Sequence, residues 1–520
     1  AVGVFTWMWA QAMVLQVVKL AISASKSPNP LSVEALFWPL TMASATLAGV
    51  LWPLRGWVSV YLCLVSLVVL WSTGSQSNHV FMDMVVCMAV LFTFSPDRRR
   101  WVGQATHAVR LFLVVLYLVT GLHKMNADWG RAEVSCCTLM LVGILALPPL
   151  RWALPMLPLS AAPHAATVVE LGLPLLLLAG GPAASRVAAV LGCGFHLAIC
   201  QMLSPMSVYP FSVLMAPLYV FVVPGQAAEL FLAMRRWLPL LVPLFAVLCA
   251  VWTPLMAAGD LPDGEAPFEY PAYGSWAPGV VWCNFAYVGL IGAAVCRSSH
   301  GDSPAALPTR RGRLLAFVVS LFGLTPYLGL RNYPALAMFS NLRVEAGRSN
   351  HLFIGDDFDL TGWQRDYVTV HDTDIPALQL LQIDLGQRFT PATLRSLASV
   401  NVSAEFWITP PLSAWPYPPT RAFVPYSAPF LELRRRIAPL RAAGARGQVR
   451  YSRTRARPRY AFPALWRFLG RSAPSEDHVS PNLTYDLAVG DPEVEEPLPA
   501  WLATLARFRS FDLDSSPCRH

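Results

Sequence analysis

The chain is poor in charge. Of its 520 residues only 13% are Asp, Glu, Lys or Arg, against about 25% in an ordinary globular domain. That scarcity argues against a water-soluble enzyme of this length. Cysteine is sparse too: there are 10, of which only Cys518 lies beyond residue 300, too few for a secreted disulfide scaffold. Lysine occurs only as Lys19, Lys26 and Lys124. No Gly-rich phosphate loop, zinc-finger spacing or RNA-binding aromatic motif is present, so the formal net charge of +8 does not point to nucleic acid. What is abundant is apolar: 55% of residues are hydrophobic and mean hydropathy is +0.46, which excludes a disordered chain. The fold class these numbers leave is an all-α polytopic membrane helical bundle with a small C-terminal α+β extramembrane domain.

The two parts differ in charge density. Residues 1–313 hold 17 Lys and Arg and 12 Asp and Glu, whereas the shorter 314–520 holds 22 and 19. The predicted division is a bundle over 1–330 and an exterior or lumenal domain over 331–520. A bilayer-spanning helix needs about 17–25 apolar residues. Candidates fall near 1–22, 36–54, 57–72, 79–95, 106–123, 165–181, 186–203, 209–223, 236–253, 279–296 and 314–330. Several are short, which suits tilted, re-entrant or paired half-helices. The apolar stretch 134–150 ends in Pro148 and Pro149 and reads as a re-entrant or interfacial piece. The sequence starts at Ala1 inside an apolar run, without Met or a basic n-region; it does not read as a signal peptide, and a truncated N-terminus is expected.

Loop charge orients the scheme. Arg55, Arg98, Arg99, Arg100, Arg110, Arg186, Arg235, Arg236, Arg297, Arg310, Arg311 and Arg313 fall on one side, which the positive-inside rule places in the cytoplasm. Lys124 and everything after residue 330 then face the lumen or exterior, in the endoplasmic reticulum or cell membrane. The sequons Asn401-Val-Ser and Asn482-Leu-Thr lie in that exterior part. Within it, Asp366–Asp372 alternates like a strand. Thr390 and Pro391 open a predicted helix through Ala398. Phe430–Ala443 reads as an amphipathic helix interrupted by Pro439, and Gln448–Arg453 as a strand.

Ionisable groups at membrane depth cost roughly 2.5–3.5 kcal/mol each on insertion scales, so they are functional candidates by default. His79 and Asp83 sit four residues apart, on one helical face; a polar helix end explains them as well. Lys124, in His123-Lys-Met-Asn-Ala-Asp-Trp129, reads either as a snorkelling interfacial lysine beside a tryptophan anchor or as a general base favoured by an apolar surrounding. His196, mid-segment in Gly194-Phe-His196, reads as a helix-bonded histidine or a catalytic one. His164 and Glu170 flank the start of the next helix, where structural pairing is the plain alternative. Cys136-Cys137 lacks the further ligands that a metal site needs. No nucleophile-elbow pattern is present.

These landmarks, in this order, resemble the HTTM (horizontally transferred transmembrane) domain family, which includes vitamin K-dependent gamma-carboxylase. Asn78-His79 resembles the family's Asn-His at a helix start. Tyr117–Trp129 (YLVTGLHKMNADW) resembles its lysine segment, with Lys124 in the place of the catalytic lysine. Residues 164–180 resemble its His-to-acidic helix, with Glu170 in the acidic place, and Phe195-His196 with Tyr209–Phe221 resembles its Phe-His helix and the segment after it. Met338–Glu345, Arg348–His351, Glu432–Arg435 and Val449–Arg453 resemble bacterial HTTM-domain proteins of unassigned activity.

The resemblance implies a membrane enzyme that uses a reduced vitamin K-like quinone (a hydroquinone), oxygen and carbon dioxide, without a metal. Lys124 would deprotonate the quinol, and His79 and His196 would support it. Oxygen would add, the alkoxide formed with the epoxide would take a γ-proton from a protein or peptide Glu, and carbon dioxide would trap the resulting carbanion. The quinol site is implied at His164 and Glu170, with Met338 and Phe339 of Ala335–Ser340 (ALAMFS) standing where the carboxylase has its quinol-lining stretch. Here only about 190 residues follow the bundle, far fewer than the carboxylase's lumenal region. The implied partners are membrane lipid and such a peptide, with no nucleic acid. The alternative is a non-catalytic HTTM-domain protein that binds lipid or quinone or serves as a scaffold. A transporter would need paired inverted halves, and no internal symmetry is apparent.

Overall fold

The structure is a computed structural model. It describes residues 1–25, 33–72, 78–132, 134–145, 156, 158–201, 208–234, 237, 271–296, 309–337, 339–354, 360–375, 378, 425–456, 477–491, 494, 502 and 506–511. The predicted span over 236–253, the predicted helix over 391–398, and Met338 and Asn401 lie outside the described residues, Trp237 apart.

Most of the chain is helical. The helices are α1 (Val2–Ser25), α2 (Val33–Leu51), α3 (Gly56–Ser72), α4 (Asn78–Phe92), α5 (Arg98–His123), α6 (Cys136–Leu145), α7 (Ala161–Ala179), α8 (Gly181–Ile199), α9 (Tyr209–Tyr219), α10 (Pro224–Met234), α11 (Pro271–Val295) and α12 (Arg310–Leu324). By length and composition, three of them can cross a membrane among the described residues: α5, α7 and α8. Shorter apolar helices include Gly56–Leu70 and Asn78–Phe92, both below the roughly 20 residues a bilayer core requires. Part of the predicted segment 209–223 is one arm of a bent pair. Phe211–Tyr219 and Pro224–Met234 meet at 102°, a broken span or a re-entrant loop.

The chain divides into two compact units. Unit 1 is Ala1–Leu118 with Val169–Ser320; unit 2 is Val119–Val168 with Leu321–His520. In unit 1, α1 packs on α2, α2 on α3, α3 on α4, and α11 on both α8 and α9. Its polar side chains bond inward across helices: Thr6 Oγ1 lies 2.5 Å from Ser59 Oγ, and Trp282 Nε1 donates to Gln11 Oε1 at 2.7 Å. Large apolar side chains point outward instead, including Leu40 and Leu47 of α2, Trp57 and Leu64 of α3, Leu175 and Leu178 of α7, and Phe285 and Val288 of α11. Since Met42, Leu62, Leu173 and Leu290 of the same helices are buried, these helices are apolar on both faces, unlike the one-sided stripe of a helix packed on a water-soluble core.

Unit 2 contains a four-stranded antiparallel sheet in the order β2-β1-β3-β4, with β1 Asp366–Thr373, β2 Tyr426–Pro429, β3 Gln448–Arg455 and β4 His478–Asp486. The two predicted strands are present as β1 and β3; β2 and β4 are additional. Alternation in β1 buries Val368 and Val370, which pack with Val449, Tyr451 and Tyr485. Helix α13 (Phe430–Ala442) adds Phe430, Leu433 and Ile437 to that core, three positions on one helical face. The expected interruption at Pro439 does not occur, and α13 runs on through it to Ala442. Arg453 closes the sheet's interior charge: it grips Asp366 with Nε to Oδ1 at 2.8 Å and stacks 3.4 Å over the Phe430 ring. In β4, Asn482 is exposed and has a left-handed backbone, φ 54°.

Candidate functional site

The sequence-predicted residues fall into both units, and each unit is described by itself. Lys124 belongs to unit 2. His79, Glu170 and His196 belong to unit 1.

In unit 2, α5 unwinds into a turn in which Lys124 N donates to Gly121 O at 3.1 Å and Asn126 N donates to Lys124 O at 2.9 Å. Lys124 is 7% exposed, and its Nζ sits 5.2 Å from the centroid of the Trp129 ring. The side chain is thus largely buried, with its amine over an aromatic face. Trp129 is held in turn, its Nε1 donating to Pro163 O at 3.0 Å and Thr167 Oγ1 at 2.9 Å.

A polar scaffold fixes the turn. Asn126 Nδ2 donates to His123 O at 2.8 Å and Ser340 O at 2.7 Å, while Asn126 Oδ1 accepts from Trp129 N at 2.9 Å. Asp128 accepts from Arg343 at 2.7 Å and from Asn350 Nδ2 at 2.9 Å. His123 places its two ring nitrogens 3.1 Å from Leu336 O and 2.8 Å from Gly323 O. Asn341 Oδ1 accepts from Cys136 N at 2.8 Å, and Cys136 itself is disulfide-bonded.

The segment that supplies these acceptors is strained. Leu336 (φ 57°), Phe339 (φ 52°), Asn341 (φ 56°) and Ala346 (φ 56°) all adopt left-handed backbone. Asparagine tolerates that region, but the other three have a Cβ that crowds the following carbonyl. Such residues cost about 1–3 kcal/mol each and persist where the surroundings over-determine them, often at functional sites. Phe339, one of the expected quinol-lining residues, is 8% exposed in this segment.

His351 completes the scaffold. Its Nε2 donates to Leu122 O at 3.0 Å, and its Nδ1 accepts the amides of Phe353 at 3.1 Å and Ile354 at 3.0 Å. That pattern requires a neutral ring with the proton on Nε2. Burial lowers its pKa from the ordinary 6.5, against the pull of the Leu122 carbonyl. The unfolded chain accepts a proton near pH 6.5 that the folded one resists, so this contribution to stability is present above that pH and lost as pH falls below it. Between about pH 7.5 and about pH 5.5, the wild type should lose more thermal stability than His351→Gln. Equal losses in thermal melts would remove His351 from this role.

In unit 1, His196 of α8 is fully buried. Its Nε2 lies 2.7 Å from Tyr117 Oη, and Tyr117 Oη lies 2.5 Å from Tyr219 Oη. The imidazole stacks on Tyr287 at 5.9 Å and 12° and meets Phe211 at 5.4 Å. The result is a hydrogen-bonded relay of two phenols and an imidazole inside an aromatic cage. Tyr117 and Tyr219 are not among the expected site residues; in the sequence each is only part of a longer apolar segment. The signal that could have found them is the hydroxyl itself, a polar group that needs a partner at such depth.

The remaining expected residues are not brought into this relay. His79 is half-buried in the first turn of α4, and Asp83, one turn on, is fully buried with neither carboxyl oxygen hydrogen-bonded. His164 is exposed and Glu170 is buried, on the same helix α7. Among the described residues, no three His, Cys, Asp or Glu side chains are grouped to hold a metal ion. No protein family, no curated protein and no solved structure matches the chain.

Proposed function

We propose that this chain is a multi-pass membrane enzyme of the HTTM type that deprotonates a reduced quinone-like lipid in an oxygen-dependent reaction, with Lys124 as the base. The observation that carries the reading is the setting of Lys124: a buried amine over Trp129, on a turn braced by Asn126, Asp128 and a strained segment that includes Phe339. Ordering that much polar structure around one lysine is costly unless the amine has a defined task. An aromatic wall beside an amine suits a flat hydroxyaromatic headgroup, and Lys124 Nζ would take the hydroxyl proton. Bound quinol would supply the electrons for oxygen chemistry.

Membrane embedding is supported by the outward apolar faces of α2, α3, α7 and α11, which as a soluble surface would be an aggregation hazard. An exterior position for unit 2 is supported by the Cys136 disulfide, since disulfides persist in oxidising compartments, although its neighbour Cys137 is a thiol, as are Cys63, Cys87, Cys193, Cys200, Cys283 and Cys296 of unit 1. The exposed sequon at Asn482 agrees with that side. Carboxylation of a peptide Glu is the extension of this chemistry that the resemblance implies. The test is epoxide formation from a reduced vitamin K-like quinone and oxygen by the purified protein. Absence of epoxide from folded wild type would favour the second reading, a lipid- or quinone-binding protein without catalysis.

A further inference from the structure

Unit 1 gathers positive charge at the end where three of its helices begin. Arg55 precedes α3, Arg98, Arg99 and Arg100 open α5, and Arg310, Arg311 and Arg313 open α12; all seven are exposed. Trp101 ties these starts together. Its ring meets Phe94 at 5.2 Å, its Nε1 donates to Val90 O at 3.2 Å, and a Cβ built on Gly56 would lie 3.2 Å from its Cζ3. Helix α12 joins the same end: Arg311 Nη1 donates to Phe92 O at 2.9 Å, and a Cβ built on Gly312 would lie 3.6 Å from Ala108 of α5.

We infer that the arginines at the starts of α3, α5 and α12, with the aromatic side chains among them, bind the headgroups of anionic phospholipids. The charge there is one-sided. The segments 52–57, 92–101 and 309–314 hold these seven arginines and one acid, Asp97. Asp97 is engaged at the start of α5, its Oδ1 accepting the amides of Arg99 at 2.9 Å and Arg100 at 3.4 Å. Among the described residues, none of the seven guanidinium groups is ion-paired. A solvated face could carry such charge alone, but this one is not only charged. Trp52, Leu54, Trp57, Phe92, Phe94 and Leu314 are exposed in the same three segments. Exposed tryptophan beside arginine belongs at the boundary between hydrocarbon and headgroups, and neither a soluble anion nor a nucleic-acid backbone would cover Leu54 and Leu314. The guanidinium fork takes phosphate oxygens two at a time. Clusters of about four to eight basic residues beside a membrane helix attract acidic headgroups, each arginine adding about fivefold to the attraction. The site rests on the proposed membrane embedding and not on the role of Lys124.

The test uses the full-length protein in mixed micelles of an uncharged detergent with phosphatidylglycerol, and with phosphatidylcholine as reference. In thermal melts, phosphatidylglycerol is expected to raise the melting temperature saturably, by several degrees more than phosphatidylcholine does. Raising the salt from about 0.05 M to about 0.5 M should weaken that response, because the contacts are exposed and screened. Combining Arg98→Gln, Arg99→Gln and Arg100→Gln should shift the half-saturating lipid concentration upward at least about tenfold. Combining Arg98→Lys, Arg99→Lys and Arg100→Lys keeps the charge and should stay within about threefold of wild type. Equal responses to the two lipids, a glutamine variant that responds like wild type, or a lysine variant that fails like the glutamine one would overturn the proposal. So would an equal rise with inorganic phosphate alone, which would assign the cluster to a soluble anion. Embedding is read separately, from protein reconstituted in phosphatidylcholine vesicles and washed at alkaline pH. Release into the wash would overturn the membrane reading and the lipid site together; retention without a preference for phosphatidylglycerol would overturn the site alone.

Discussion

Purified wild-type protein supplied with a reduced vitamin K-like quinone and oxygen is expected to form epoxide, and the Lys124→Ala protein is expected to form none above background. Positioned general bases contribute about 10²- to 10⁴-fold, so the loss should fall in or beyond that range. The alanine variant also removes a cation from the Trp129 face, a contact of about 0.5–2 kcal/mol, so its melting temperature should shift only modestly. Lys124→Arg separates the two roles. Arginine keeps the positive charge and the stacking on Trp129 but does not deprotonate in proteins. It should therefore fold like wild type and be as inactive as alanine. Activity retained by Lys124→Arg would show that the charge matters and the base does not. Activity retained by Lys124→Ala would end the assignment altogether.

The parts of the site that a sequence displays are those whose chemistry is rare where they occur. Lys124 is one of three lysines and stands beside a tryptophan at the end of an apolar run. His196 is an imidazole in the middle of another. Each stands out because a bilayer segment penalises it. Tyr117 and Tyr219 do not stand out, because tyrosine is ordinary in apolar helices and the contact between them spans 102 positions. The strained segment is hidden for a different reason. Leucine, phenylalanine and alanine have no preference for left-handed backbone, and the constraint comes from bonds such as Asn126 to Ser340 O, 214 positions apart. In the sheet, β1 and β3 are legible from alternation, as in Val368, Val370, Val449 and Tyr451. The four residues of β2 are too few to show a period. β4 carries Pro481 and the left-handed Asn482 and buries mainly Tyr485, so its edge position leaves almost no apolar pattern to read.

Among the described glycines, Gly192 is the one where an added methyl group meets the closest contact. A Cβ built there would lie 1.8 Å from Tyr219 Oη, 2.4 Å from Cζ and 2.6 Å from Cε1. The phenol therefore occupies the volume that any other residue would need, and α8 presents glycine to admit it. Tyr219 cannot simply swing aside, because it is buried and its hydroxyl bonds Tyr117, which in turn meets His196. Overpacking of this kind costs about 1–3 kcal/mol, occasionally more, and breaking the buried hydrogen bond adds about 1–3 kcal/mol. Gly192→Ala is accordingly expected to lower the melting temperature by several degrees in detergent. The decisive comparison is the double variant. In a Tyr219→Leu background the colliding ring atoms are gone, so adding Gly192→Ala should cost little, a non-additivity of the sort that contacting residues show. If Gly192→Ala costs the same in both backgrounds, or nothing in either, Tyr219 is not where its ring is placed. The relay from Tyr219 through Tyr117 to His196 would then lose its geometry, while the Lys124 prediction would stand untouched.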